Sequence, residues 1–396
     1  MDFSFSDEQI MIRDTAEQFL AEVSDSAAVR AVMASERGYD DKLWARICQD
    51  MYWQAITVPE ACGGLDLGYI ELVAVLEQMG RRLACTPLYA SVCLAANTLL
   101  VAGSDAQQQH WLGRLVAGEA GTLAFSGPSA NWDAASVSLN CVREGKEFIL
   151  NGESRYVPDG HSADIICVAA RETASVGDAG VSLFIMDAST DGLSREWLPT
   201  MDQTRKQAQL TFSNVRVSAD ALLGEQGAAA QQLETVLDLA RIAIAADQVG
   251  GAQQALDSTV EYLQERVQFG RQIASYQAIK HKCADMMLKV EAARSALYYA
   301  ACIADQALAG DADAQTLREA ASIVKGYASD AYFFNAGCGI QLHGGVGFTS
   351  EYDIQLYFKR AKSTETFLGG SDFHRARLAA LLLDDSPLGQ QKQERA

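Results

Sequence analysis

The stretch ERVQFGRQIASYQAIKHKCADM, Glu265–Met286, holds two helical patterns with a break between them. Glu265 and Arg266 close one run, Phe269-Gly270 interrupts it, and Gln277 lies just inside the next. The spacing predicts a helix-turn-helix. An arginine at a helix end, beside an exposed aromatic and a glutamine, suits a diphosphate joined to an adenine. The guanidinium pairs with anionic oxygens and the ring packs on the base. A solvated arginine at an ordinary helix turn is the plainer reading, and spacing alone leaves both open.

The texture around this block sets the fold class. Upstream, residues 225–269 read as one long helix, with Gly250 and Gly251 placed to let another backbone pack closely. Downstream, helices are expected at 276–308, 313–342 and 371–384, so this part reads as a bundle of four or so. The segment QLHGGVGFTSEYDIQLYFKRAK (341–362) puts a glycine doublet directly after a helix, where a Gly cap and close approach to a ligand are both natural. A second doublet, Gly369-Gly370, sits in TETFLGGSDFHR (364–375), before the last helix. Residues 386–396 lack apolar content and read as a mobile tail.

Between about 120 and 225 the period changes. SVSLNCV (136–142) places Val137, Leu139 and Cys141 on one face of a strand. EFIL, ADIICVAA, VSLFIMDA and AQLTFSNVRVS follow, separated by EGK, NG and DG turns. Short β-rich runs with turn chemistry between them predict an antiparallel barrel or sandwich. Residues 1–118 return to helix: Ser6 and Gln9 have capping-box spacing before Ile10, Ala16, Phe19, Leu20 and Val23. The expected domains are therefore 1–118, all-α; 119–225, β; and 226–385, a helical bundle, an α+β chain overall.

Composition closes off several classes. The 396 residues carry a formal net charge of -19, which argues against binding a phosphate backbone. No GxGxxG follows a strand and no P-loop occurs, so a bound nucleotide would not sit in a Rossmann or P-loop site. No apolar run approaches the roughly 20 residues a membrane helix needs. The acidic N-terminus is unlike a signal peptide. Nine scattered cysteines without a CxxC pair, and five histidines without HxxxH spacing, point to buried thiols in a reducing, cytoplasmic setting and to no metal site.

Taken together, the α–β–α order, RxxFG…Q at Arg266–Gln277 and QxxGGxGF at Gln341–Phe348 resemble the acyl-CoA dehydrogenase family over nearly the whole chain. FSDEQIMIRDTAEQFL and LNGES…D look like its members too. The resemblance implies an N-terminal helical domain, a central β-domain, a C-terminal four-helix bundle, and FAD shared between two subunits of a tetramer. Such enzymes oxidise acyl-CoA thioesters across Cα–Cβ, and an electron-transfer flavoprotein usually accepts the electrons. One subunit supplies the flavin-ring cradle and the catalytic base. The other holds the ADP half, here matched by Arg266, Phe269, Gln277, Gln341, Gly344 and Gly345.

The first set departs from the pattern. The TEPxxGSD-like stretch reads SGPSANWD (126–133): Ser126, Pro128 and Asp133 match, but Gly127 replaces the acid and Trp132 the small hydroxyl residue. The WITNG-like stretch reads YVPDG (156–160), where Tyr156 is a tolerable substitute and Pro158 offers neither hydroxyl nor N–H. The YEGT-like loop reads FLGG, so Leu368 stands at the place of the base. In branches that carry the base on the long helix, before an arginine, the pair here is Ala240-Arg241. Neither Leu368 nor Ala240 can take a proton. Glu365, Asp238, Glu234, His343 and His374 lie nearby, the carboxylates reading best as solvated helix-face groups, His343 as part of a turn and His374 as a helix residue. The resemblance then implies the base-less subunit of an α2β2 heteromer, which completes the FAD site of a homologous partner that carries the glutamate, with its own flavin half-site vacant or degenerate. Within the family such heteromers serve bulky, steroid-derived CoA thioesters. Two alternatives stand beside it: a homotetrameric flavoenzyme with monooxygenase or desulfinase chemistry, and a non-catalytic structural subunit.

Overall fold

A computed structural model describes residues 5–383; the tail expected at 386–396 lies outside the described residues. The first helix, α1 (Asp7–Val23), begins with the expected capping box. Gln9 N donates to Ser6 Oγ at 3.2 Å and Ser6 N to Gln9 Oε1 at 3.0 Å. Two of the helix's four orphan donors are satisfied this way. After α2 (Ser26–Met33) and α3 (Asp41–Arg46) comes α4 (Tyr69–Arg81), against which α1 packs Ala16, Phe19 and Leu20. The helices α5 (Asn97–Ala102) and α6 (Asp105–Val116) end the first helical stretch.

The central part is a twisted sheet of β1 (Gly121–Ala124), β2 (Asn140–Glu144), β3 (Glu147–Pro158), β4 (Ile165–Glu172), β5 (Val181–Asp187), β6 (Leu193–Leu198), β7 (Gln207–Ser218) and β8 (Leu222–Leu223). The order is β6-β7-β3-β2-β4-β5-β8, with β1 on β4. Most pairs are antiparallel, as expected, but β1 and β2 each run parallel to β4. Val137, Leu139 and Cys141 are buried as predicted, although the strand proper starts only at Asn140. Asn151-Gly152 is no turn. It lies inside β3 at a register shift against β7, where Gly152 has φ +129, a bulge that glycine permits. Phe148, Leu150, Val168, Phe184, Leu210 and Phe212 anchor the core of the sheet.

Then follow α7 (Ala230–Glu265), the short strands β9 (Val267–Gln268) and β10 (Arg271–Gln272), α8 (Gln277–Leu308), α9 (Ala314–His343), α10 (Ile354–Thr366) and α11 (Ser371–Leu383). The expected helix-turn-helix is in fact helix–hairpin–helix. Phe269 and Gly270 form the two-residue tip with φ +54 and +79, the left-handed pair that a tight hairpin needs. Gly250 does bring backbones together: a Cβ there would lie 1.8 Å from Glu77 O of α4. The chain divides into two compact units. One contains residues up to Ser26, Tyr69–Ala84 and the chain from Arg241; the other contains Ala27–Gly68 and Cys85–Ala240. No helix among the described residues is long and apolar enough to cross a membrane.

Candidate functional site

Every residue that the resemblance matches to the ADP-holding set lies on the surface of the first unit. Arg266, Phe269, Gln277, Gln341, Gly344 and Gly345 are all exposed, and Phe269 is 92% so. Local packing gathers them. Arg266 closes α7 and its carbonyl accepts from Ile273 N at 2.9 Å, which fastens the hairpin base. The Arg271 guanidinium lies 3.8 Å over the Tyr276 ring, whose hydroxyl donates to Gln268 O at 3.3 Å, so the hairpin folds back on the start of α8. Tyr262 stacks on His343 at 4.4 Å and donates to its carbonyl at 3.2 Å, which ties the end of α7 to the glycine turn after α9. His343 is therefore no turn residue. It is the last residue of α9 and is buried, with its Nδ1 at 2.7 Å from Gly339 O and burial lowering its pKa.

The family resemblance assigns this surface to the adenylate end of an FAD, and two of its features leave room for a ligand. The hairpin tip needs Phe269's left-handed backbone, and its ring is presented to solvent. Gly344 needs its φ of +66, but Gly345 does not lie in the left-handed region and its Cβ would meet nothing within 4 Å. Neither backbone nor packing of this chain demands glycine at 345, so the room it leaves suits something that approaches from outside.

The loop after α10 is organised from below. Leu368 is fully buried at φ +60, a costly conformation for a bulky residue. Its carbonyl accepts from Arg241 Nε at 3.4 Å and from His374 Nε2 at 3.1 Å. Lys325 Nζ donates to Gly369 O at 2.8 Å, to Glu365 O at 3.2 Å and to Ser329 Oγ at 3.0 Å. Arg241, Lys325 and His374 are themselves wholly buried. Burial, with Arg241 adding to it, pushes the Lys325 ammonium down to about 7. Burial and the two cations push His374 down to about 2, so it is a neutral imidazole donating through Nε2. The sequence pattern missed these clamps. The one trace was a lysine inside the apolar run SIVKGYASDAY of α9.

Two of the nearby carboxylates are engaged elsewhere. Glu365 pairs with Lys362 at 2.7 Å, and Glu234 accepts from Ala134 N at 2.8 Å. Asp238, expected to be solvated, is only 1% exposed. Ala240 is fully buried, and its carbonyl accepts from the Tyr89 hydroxyl at 3.0 Å. Among the described residues no cluster of His, Cys, Asp and Glu could hold a metal.

Three family models cover the chain: acyl-CoA dehydrogenase N-terminal domain over residues 6–119, middle domain over 122–215 and C-terminal domain over 226–383. The chain belongs to the acyl-CoA dehydrogenase family of flavoenzymes, oxidoreductases that act on CH–CH bonds and bind FAD. The chain is 32% identical to acyl-CoA dehydrogenase IpdE2 of Mycolicibacterium smegmatis, over 95% of this chain and 99% of that one. Among solved structures it resembles a Tcur3481-Tcur3483 steroid ACAD at TM-score 0.84 and 31% identity, covering 95% of this chain and 97% of that one. It also resembles the ChsE4-ChsE5 complex of Mycobacterium tuberculosis, at TM-score 0.86 and 27% identity over 98% and 100%.

Proposed function

We propose that this chain is the base-less subunit of a heteromeric FAD-dependent acyl-CoA dehydrogenase, with a steroid-derived CoA thioester as substrate. The observation that carries the reading is Leu368. The loop that should present a base is fully built and clamped, yet the residue it presents has nothing to titrate, and Ala240 leaves the alternative position equally inert. The exposed ADP-holding set gives such a chain its task. Bound FAD supplies the hydride acceptor. On this side Arg266 would neutralise diphosphate oxygens, Phe269 would pack on the adenine, Gln277 and Gln341 would hydrogen-bond, and Gly344-Gly345 would admit the backbone close to the ligand. A homologous partner would carry the glutamate and the ring cradle, and an electron-transfer flavoprotein would take the electrons. Similarity to a steroid ACAD and to the ChsE4-ChsE5 complex supports both the substrate class and the pairing. Free, mostly buried cysteines suit the cytoplasm.

The test is to produce the chain alone and with its partner and to count FAD per chain by absorbance. We expect the chain alone to be flavin-poor and the complex to hold one FAD per heterodimer. Arg266→Ala in the complex should strip the flavin. Full, tight occupancy of the chain alone would sink the reading, and undiminished flavin in R266A would remove the assignment of the adenylate half to this chain.

A further inference from the structure

The ring-holding stretches of this chain do not fit a flavin, and the reason lies in the sheet unit. Ser126, which the family resemblance assigns to the ring side, is turned inward: its hydroxyl donates to Arg155 O, and its carbonyl accepts from Arg155 N at 3.0 Å and Ser154 Oγ at 2.9 Å. The hydroxyl's one proton is already engaged. At Gly127 a Cβ would lie 2.4 Å from Ser138 Oγ, so a side chain there would have to displace that hydroxyl. Pro158 offers no donor, and its carbonyl is taken by Thr122 Oγ1 at 2.6 Å. Where a small hydroxyl residue belongs, the Trp132 indole stands between two rings. Its centroid is 6.0 Å from Phe125 at 57° and 6.3 Å from Tyr156 at 56°, both within the range of favourable tilted aromatic contacts.

The segment that carries the indole is pinned at both ends. Ser126 holds it to β3, and Ala134 N donates to Glu234 Oε1 at 2.8 Å, fixing it to the start of α7. Ala130 and Tyr156 take left-handed φ values of +52 and +58, which re-aim the chain on either side of the ring. The indole is a flat aromatic in tilted contact with both Phe125 and Tyr156, on the stretches that the family resemblance assigns to the flavin ring.

We infer that Trp132 closes this chain's own flavin-ring half-site, with Phe125 and Tyr156 as its walls, so that a complex holds FAD only in the partner's cradle. The inference rests on the heteromeric reading above and adds the cause of the expected stoichiometry. The test uses the complex in wild-type, Trp132→Ser and Trp132→Phe forms, with heat-released flavin counted against each chain's mass. One FAD per heterodimer is expected for wild type and for W132F, which keeps a ring in place. W132S should rise toward two, a gain approaching twofold. W132S fixed at one, with a native circular dichroism spectrum, overturns the role of Trp132 and leaves the heteromeric reading standing. Two FAD per wild-type heterodimer shows that a ring fits beside the indole and overturns it as well. Undiminished flavin in R266A, by contrast, removes only the adenylate assignment. If W132S does not fold, Trp132→Ala is read in its place: a rise toward two FAD supports the inference, and a value of one in a natively folded complex overturns it.

Discussion

Replacing Lys325 by methionine tests the clamp beneath Leu368 through its dependence on pH. The ammonium is fully buried, and burial lowers its pKa from 10.5 to about 7. In the unfolded chain the same lysine titrates near 10.4. Between pH 7 and about 10 the unfolded state therefore binds more protons than the folded one, so stability rises with pH across that window. Below pH 7 both states are protonated and the full cost of the buried charge is present. The slope is about 1.4 kcal/mol per pH unit, or roughly 3 kcal/mol from pH 7 to 9. Methionine has the same reach and no proton. It also leaves Gly369 O and Glu365 O without their donor, which lowers stability by an amount that does not vary with pH. The relevant quantity is thus the change with pH in the difference between wild type and K325M, measured by urea unfolding at pH 6, 7, 8 and 9 and one protein concentration. Wild type should gain on the variant by about 3 kcal/mol above pH 7 and track it below. A difference that stays flat from pH 6 to 9 would refute a lysine titrating in this window.

Gly250→Ala should cost at least 1–3 kcal/mol by overpacking, since its Cβ would fall 1.8 Å from Glu77 O; urea midpoints check this, and an unchanged midpoint contradicts the close crossing of α4 and α7. Glu77→Ala should cost about 3–5 kcal/mol, because Glu77 is 3% exposed and accepts from Arg294 at 2.9 Å and from the Tyr298 hydroxyl at 2.7 Å. Thermal unfolding of E77A less than a few degrees below wild type would count against that network. Gly345→Ala should leave the melting temperature where it is, as its Cβ meets nothing within 4 Å, yet weaken flavin retention in the complex. Retained flavin in G345A would mean that nothing approaches there.

Much of the fold was legible because its signals are local. The Ser6/Gln9 capping box, the long helices and the alternation of Val137, Leu139 and Cys141 each declare themselves within a few residues. What escaped depends on partners distant in sequence. β1 is buried on both faces and shows no alternation, and β6 alternates in burial but puts Arg195 at a less exposed position, so neither carries a period-two hydropathy pattern. The hairpin strands are two residues each, too short to distinguish from a helix turn. α10 lay between two glycine loops whose motifs claimed the same residues. Of the site, that residues 368 and 240 carry no titratable group could be read from residue identity alone. The clamps on Leu368 could not, because backbone carbonyls leave no mark in a sequence and Lys325 and Arg241 stand 43 and 127 positions away.

Those clamps have a consequence for how replaceable residue 368 is. Arg241, His374 and Lys325 hold main-chain oxygens, and none of these three bonds involves the Leu368 side chain. The path of the loop is thereby decoupled from the identity of the residue it displays. A loop held this way can change the residue it displays while its backbone keeps the same course.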